Sequence, residues 1–236
     1  QHTPFFNDTA TTEIYTAGHS SAASDVYKRQ IPNMGLNKVA LNANKRHCWG
    51  MAAMVSVSAV LLQFGGKPVR EALAYSRDGV ASGELWRLLT GHLVHLGWTH
   101  MWLNLAGIAL VAWLVGGVFD WRRWLVVAAI TALAIAAGFW FLYPELEWYV
   151  GLSGLEHGLL VGGLYVGIRA RDKESIILLC FVLAKLSWEQ LSGGPLPGSE
   201  ATSGGSVIVN AHLYGTIGGA LAGALLWRRD RQAPAI

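Results

Sequence analysis

The stretch Gly151-Leu152-Ser153-Gly154 begins an apolar segment that continues to about residue 168. A segment of this kind is typical of a membrane-spanning helix. A serine at the start of such a helix lies beside unpaired backbone N–H groups and the positive end of the helix dipole. Polar groups at membrane depth cost free energy and are usually functional. The stretch thus predicts a membrane protein with Ser153 as a candidate nucleophile, although Gly-x-Ser-Gly also occurs as a small-residue packing motif.

The composition of the 236-residue chain points in the same direction. Apolar residues make up 53% and charged residues 14%, whereas soluble domains carry about 25% charged residues. The mean hydropathy is +0.36. The pI near 9.0 does not indicate nucleic-acid binding, because the basic residues flank apolar blocks, where they act as topology signals. Cys48 and Cys180 are the two cysteines, and they predict neither a disulfide framework nor a metal site.

Six apolar segments predict an all-α polytopic membrane protein, a bundle of six transmembrane helices. The predicted spans cover about residues 49–64, 98–119, 124–143, 151–168, 175–191 and 207–227. Basic residues cluster before the first span and after the second, fourth and last spans, which places all four clusters on one side. The positive-inside rule therefore predicts that both termini are cytoplasmic. The loop 65–97 carries four basic residues on the other side, and its length and Pro68 favour a structured loop.

Composition also divides the chain into four segments. Residues 1–30 are polar and aperiodic, resemble translated sequencing-adapter text, and are predicted to be a non-native disordered tail; a genuine disordered tail is the alternative. Residues 31–48 form a predicted cytoplasmic N-terminal segment, in which Met34 is a candidate native start. Residues 49–228 form the predicted membrane domain, and residues 229–236 form a cytoplasmic tail.

A histidine lies near the start of the last predicted span, in Ala211-His212-x2-Gly215-x3-Gly219. His212, Gly215 and Gly219 share one face of this helix. The fourth span has a matching row at Gly154, Gly158 and Gly162. Two such rows let helix backbones approach closely, which would bring Ser153 and His212 within hydrogen-bond reach. A serine nucleophile needs a base at that distance. The alternative is a histidine that only bonds between helices.

Polar residues also occupy the start of the second predicted span, at His95, His100 and Asn104. His100 and Asn104 are four residues apart and share a helix face. A neutral side-chain amide is a good donor to an oxyanion. Because imidazole is the commonest metal ligand, His92 and His95 also leave a metal site open, with Glu84 and Glu156 as its carboxylate candidates.

Taken together, these motifs resemble the rhomboid family of intramembrane serine proteases over most of residues 80–225. The resemblance rests on Glu84-Leu85-Trp86-Arg87, His95-x4-His100-x3-Asn104, Gly151-Leu152-Ser153-Gly154 and Ala211-His212-x2-Gly215-x3-Gly219. It implies that Ser153 is the nucleophile and His212 the general base, in a dyad without a third carboxylate. It also implies an oxyanion hole of His100, Asn104 and the Ser153 backbone N–H. The other implied roles are active-site lining by Gly151, Leu152, Gly154, His157 and His95, and loop bracing by Glu84, Trp86 and Arg87.

Two features resemble the rhombosortase branch of that family. Many rhomboids place a tyrosine four residues after the serine, where this chain has His157. The fifth predicted span contains Lys185-Leu186-Ser187-Trp188-Glu189, in which Lys185 and Glu189 can pair on one helix face. That pair is either a structural ion pair or faces the substrate. Glu156 has no predicted role.

The resemblance implies an intramembrane serine endopeptidase of the bacterial inner membrane, with an active site that opens toward the periplasm. Its partners would be the lipid bilayer and a membrane-anchored exported protein cleaved at a C-terminal Gly-Gly-type anchor. No cofactor, metal, nucleic acid or oligomer is expected to be required. The alternatives are a rhomboid protease of other single-span substrates, a catalytically silent rhomboid-like binding protein, and a small metal or solute carrier.

Overall fold

The structure is a computed structural model that describes residues 38–232. The predictions for residues 1–30 and for Met34 lie outside this part of the chain. In chain order the described elements are α1 (Lys38–Phe64), α2 (Gly66–Leu73), β1 (Tyr75–Ser76), α3 (Arg77–Ala81), α4 (Arg87–Thr90), α5 (Trp98–Val115), α6 (Trp121–Ala137), a π-helical turn (Gly138–Leu142), β2 (Trp148–Tyr149), α7 (Ser153–Arg169), α8 (Lys173–Ser192), α9 (Ser199–Ser203) and α10 (Val209–Gln232).

The predicted all-α membrane fold is confirmed, and a long helix lies on each of the six predicted segments. The bounds differ most at the first segment, where α1 begins at Lys38 and not near residue 49. No glycine or proline interrupts residues 38–49, so the helix extends well before the most apolar stretch. Similarly, α10 continues to Gln232, beyond the predicted end of the membrane domain at residue 228.

Among the described residues, four helical stretches are long and apolar enough to cross a membrane: Leu41–Phe64, Trp98–Val115, Trp121–Leu142 and Lys173–Ser192. The fourth and last predicted spans, α7 and α10, are not among them. α7 has only 17 residues, of which eight are buried, and both helices contain many glycines and polar side chains. These residues lower the hydropathy of α7 and α10, and the environment of the two helices is largely protein. The count of six spans therefore stays a prediction.

Two rows of glycines form the contact between α7 and α10. A Cβ atom on Gly215 would lie 2.0 Å from the carbonyl oxygen of Gly154, and one on Gly219 would lie 2.0 Å from that of Gly158. On the same contact, a Cβ atom on Gly162 would lie 3.2 Å from the carbonyl oxygen of Gly219. Any larger residue would force the backbones apart, so the glycines set the separation of the two helices.

The loop 65–97 is structured, as its length and composition predict. It contains three short helices and β1, which pairs antiparallel with β2 so that Tyr75 lies opposite Tyr149. The all-α prediction did not include this short strand pair. Arginines of the loop donate to backbone carbonyls and thereby fasten it: Arg70 to Leu96 at 2.9 Å, Arg77 to Tyr143 at 3.1 Å, and Arg87 to Ala74 at 2.8 Å. This structural use explains why the loop is basic despite the positive-inside rule.

Candidate active site

Ser153 and His212 lie at the start of neighbouring helices. Ser153 is the first residue of α7, and His212 lies in the first turn of α10. The Ser153 Oγ atom is 3.0 Å from the His212 Nε2 atom. This separation follows from the glycine contact, at which Gly154 meets Gly215. Gly154 is next to Ser153 in α7, and Gly215 lies one turn after His212 in α10. A hydroxyl and an imidazole at this distance can exchange a proton.

His157 stacks on His212. The two rings are 4.3 Å apart between centroids and inclined by only 17°. His157 is four residues after Ser153, and its Nδ1 atom lies 2.7 Å from the Ser153 carbonyl oxygen, to which it donates. The stack occupies the place at which the resemblance puts a tyrosine, and it limits rotation of the His212 ring.

Asn104 of α5 holds the backbone just before Ser153. Its side-chain oxygen accepts a hydrogen bond from the Leu152 N–H at 2.8 Å, and its amide nitrogen donates to the His100 carbonyl oxygen at 2.9 Å. A primary amide has two N–H donors, so the second hydrogen of Asn104 is available to a ligand.

His100 presents a donor on the same side. Its Nδ1 atom accepts from the Leu96 N–H at 3.4 Å, which assigns the proton of the neutral ring to Nε2. A Cβ atom on Gly151 would lie 3.0 Å from His100 Nε2, and Gly151 has a φ of +121°. That φ lies in the region that favours glycine. Gly151 therefore lets the backbone of the motif pass directly beside the imidazole.

Two further histidines lie in the loop before α5. His95 is buried against His100, with ring centroids 5.2 Å apart. Burial, together with the neighbouring charge of His100, lowers the pKa of His95 to about 3. Burial also lowers the pKa of His92 to about 4, and His92 makes an edge contact with the Tyr149 ring. Both rings are thus neutral at physiological pH. In the described part of the chain, no three histidine, cysteine or acidic side chains come together as a metal-binding group.

A carboxylate lies on the far side of His212. The Oε2 and Oε1 atoms of Glu189 in α8 are 3.0 and 3.1 Å from His212 Nδ1. Lys185 Nζ lies 2.6 Å from Glu189 Oε1 and 3.2 Å from His212 Nδ1. The expectation that no carboxylate accompanies the serine and the histidine is therefore wrong. The predicted Lys185–Glu189 pairing is present, but the pair contacts His212. The sequence signal was two ionisable residues within an apolar span.

Glu156 lies one helical turn from the serine and is also buried. Its carboxylate faces Gly107 of α5, because a Cβ atom on Gly107 would fall within 2.2 Å of Glu156 Oε2. Its Oε1 atom has no hydrogen-bond partner among the described residues.

The residues predicted to brace the loop differ in what they contact. Arg87 forms an ion pair with Glu84 and donates to the Glu71 and Ala74 carbonyl oxygens, each at 2.8 Å. The Trp86 side chain, by contrast, is 52% exposed. Arg87 and Glu84 fasten the loop from within, while Trp86 presents an aromatic ring outward, as is common at a membrane interface.

A cavity of about 440 Å³ lies in front of Ser153 and His212. His100 and Asn104 line one side of it, and the α8–α10 connection, residues 195–203, lines another. A serine paired with an imidazole, facing a cavity with neutral N–H donors, is an arrangement that can carry out acyl transfer.

The chain is also similar in sequence to known proteins. Residues 82–229 match the family described as Rhomboid domain. The Bacillus subtilis (strain 168) protein YdcA, whose name places it among rhomboid proteases, is 32% identical over 120 residues, which cover 48% of this chain and 59% of YdcA. The rhomboid protease GlpG of Salmonella newport (strain SL254) is 31% identical over 134 residues, which cover 55% of this chain and 45% of GlpG. The chain thus spans about half the length of these relatives.

Proposed function

Since this chain belongs to the rhomboid family, we propose that it is an intramembrane serine endopeptidase that cleaves membrane-anchored proteins. The observation that carries the proposal is the 3.0 Å contact between Ser153 Oγ and His212 Nε2 at the wall of the cavity. Ser153 is the nucleophile and His212 the general base. An intact pair of this kind argues against a silent binding protein, which would need neither group.

The proposed reaction follows the chemistry of serine hydrolases. His212 Nε2 takes the proton of Ser153 Oγ while the oxygen bonds to the scissile carbonyl carbon. The same proton then passes to the leaving amine, the peptide C–N bond breaks, and water hydrolyses the acyl-enzyme. The Ser153 N–H at the start of α7, the Asn104 amide and His100 Nε2–H are the donors for the oxyanion.

The orientation in the membrane follows from the ends of the helices. The site lies where α5, α7 and α10 begin and where α8 ends. The basic residues Arg122, Arg169 and Lys173 lie at the opposite ends, at the start of α6, the end of α7 and the start of α8. By the positive-inside rule, six spans would put both termini in the cytoplasm and open the site toward the periplasm of a bacterial inner membrane.

The finer proposal is a rhombosortase specificity for C-terminal Gly-Gly-type anchors. It is supported by His157, which stacks on His212 at the position where many rhomboids resembling this chain place a tyrosine, and by the Lys185–Glu189 pair. The α8–α10 connection lines the 440 Å³ cavity, so it would lie beside the residues at the scissile bond.

The endopeptidase proposal is tested with purified protein in liposomes and a single-span substrate. A fluorophosphonate probe should label the parent and fail to label Ser153→Ala, and both Ser153→Ala and His212→Ala should lose cleavage. Full cleavage by Ser153→Ala would refute the proposal. The proposed rhombosortase specificity predicts that changing Gly-Gly to Leu-Leu in a Gly-Gly-anchored substrate lowers kcat/KM strongly. Equal cleavage of both substrates would refute this specificity and would be consistent with a rhomboid protease of other single-span substrates.

A further inference from the structure

We infer that Glu189 is a positioning residue for His212, which makes the Ser–His pair of the proposed function the first two members of a Ser153–His212–Glu189 triad. The inference rests on that proposed function, because it assigns His212 as the base. The carboxylate of Glu189 is 1% exposed and directs both oxygens at His212 Nδ1, at 3.0 and 3.1 Å.

The carboxylate selects the tautomer that the reaction needs. An ionised carboxylate only accepts hydrogen bonds, so the contact requires a proton on His212 Nδ1. In the neutral ring the lone pair is then on Nε2, which faces Ser153 Oγ at 3.0 Å. The opposite tautomer would donate from Nε2 to the hydroxyl oxygen and could not take its proton. Glu189 thus holds the base in its active form and balances the positive charge that forms on the ring when the proton moves.

Lys185 completes the arrangement by pairing with the carboxylate. A buried carboxylate without a partner is costly, and Lys185 Nζ lies 2.6 Å from Glu189 Oε1. The side chain of Lys185 is 31% exposed, so it contacts solvent at the cavity. Because Glu189 is paired with Lys185 before any proton moves, the carboxylate can stay ionised while His212 is neutral.

Lys185 also offers a competing partner for His212. Its Nζ atom is 3.2 Å from Nδ1, and an ammonium that donated there would place the ring proton on Nε2, the inactive tautomer. Two observations favour Glu189. Both of its oxygens are closer to Nδ1, and the ammonium is already engaged at the shorter distance of 2.6 Å. The His157 stack leaves the Nδ1 edge of the His212 ring free for this contact.

The first test compares Glu189→Gln with Glu189→Asp in cleavage of a single-span substrate. A glutamine amide can donate to Nδ1 and stabilise the inactive tautomer, so we expect kcat to fall by roughly 10⁴-fold with KM nearly unchanged, which is the effect of the corresponding acid-to-amide change in a Ser-His-Asp triad. Asp retains a carboxylate and should recover at least tenfold over Gln. Glu174→Gln, in the first turn of the same helix, removes one exposed acid and should match the parent. A Glu189→Gln enzyme within threefold of the parent kcat would overturn the inference.

The second test reads the tautomer directly in the parent protein and does not depend on turnover. In ¹⁵N-histidine-labelled parent protein, with the His212 signal assigned by its loss in His212→Gln, Nδ1 should carry the proton and Nε2 should not. A proton on Nε2 would overturn the inference. If the parent cleaves no substrate, the proposed function fails, whereas this measurement still decides whether Glu189 sets the tautomer.

The third test distinguishes the effect of the Glu189 carboxylate on His212 from that of the Lys185 ammonium. Lys185→Gln should lower kcat less than Glu189→Gln does, because it leaves the carboxylate on Nδ1. Lys185→Arg preserves the ion pair and should lie nearer the parent. A larger loss in Lys185→Gln than in Glu189→Gln would make the ammonium the partner of His212 and would refute the role of Glu189.

Discussion

Replacing Gly215 with alanine should separate the nucleophile from its base without touching either side chain. The added methyl carbon would lie 2.0 Å from the Gly154 carbonyl oxygen, and Cβ atoms essentially never approach other atoms closer than 3.0 Å. Because the obstacle is backbone and not a flexible side chain, α7 and α10 must move apart locally by at least about 1 Å. Ser153 adjoins Gly154, so its contact with His212 would lengthen from 3.0 Å to about 4 Å, which is too long for a hydrogen bond.

The expected size of the effect follows from that displacement. A misplacement of about 1 Å can cost roughly 10²-fold in rate, and overpacking a close contact costs about 1–3 kcal/mol of stability. We therefore expect Gly215→Ala to lose about 10²-fold in kcat, to react more slowly with a fluorophosphonate, and to unfold at a lower temperature in detergent.

Gly50→Ala is the matched control for this substitution. Gly50 lies in α1, and a Cβ atom there would have nothing within 4 Å. Its activity should equal that of the parent, and the change from glycine to alanine within a helix should stabilise the protein by up to about 1 kcal/mol. Parent-like kcat and thermal stability in Gly215→Ala would show that the glycine contact does not set the distance between Ser153 and His212.

Three further outcomes are expected. Asn104→Ala should lower kcat by roughly 10²–10³-fold, and Asn104→Asp, which keeps an acceptor for the Leu152 N–H but has no amide donor, should be similarly slow; parent-like turnover in the Asp variant would exclude the donor role. Because burial holds the pKa of His92 at about 4, below its ordinary 6.5, the unfolded state binds more protons between these values. The contribution of His92 to stability should therefore be full above pH 6.5 and be lost by up to about 1.4 kcal/mol per pH unit toward pH 4; His92→Phe should remove this part of the fall and leave the part that comes from His95. Arg77→Met should lose about 1.5–3 kcal/mol for each charged hydrogen bond to the Leu146 and Tyr143 carbonyl oxygens. Lys67→Met, which removes an exposed ion pair, should change stability little; equal melting temperatures for both variants would contradict the fastening role of Arg77.

The amino-acid sequence by itself determined the class of fold and the candidate residues. Apolar blocks require helices in a membrane because backbone groups cannot stay unpaired there, and all six blocks carry long helices in the structure. The glycine rows at spacings of four identified which two helices could approach most closely, since only glycine permits such contacts and helical periodicity places the row on one face. Polar residues at membrane depth, such as Ser153 and His212, were conspicuous for the same reason.

The bounds of the helices and the number of membrane-spanning helices were harder to predict from the sequence. Whether α1 extends to Lys38 depends on local helix propensity and not on the apolar pattern. The central helices α7 and α10 are less apolar than lipid-facing ones, because their neighbours are protein and their positions are filled by glycine and by site residues.

Only the tertiary structure decided what surrounds His212. The spacing of Lys185 and Glu189 predicts that they can pair, but no pattern within α8 indicates which neighbouring helix that pair faces. The rotation of α8 about its axis and its packing beside α10 bring the carboxylate to 3.0 Å from His212 Nδ1. The two residues are 23 positions apart in the chain, and their contact depends on how the surfaces of α8 and α10 pack against each other. The sequence therefore determined which groups are present in the site, and the packing of the helices determined that a serine, an imidazole and a carboxylate lie in one line of hydrogen bonds.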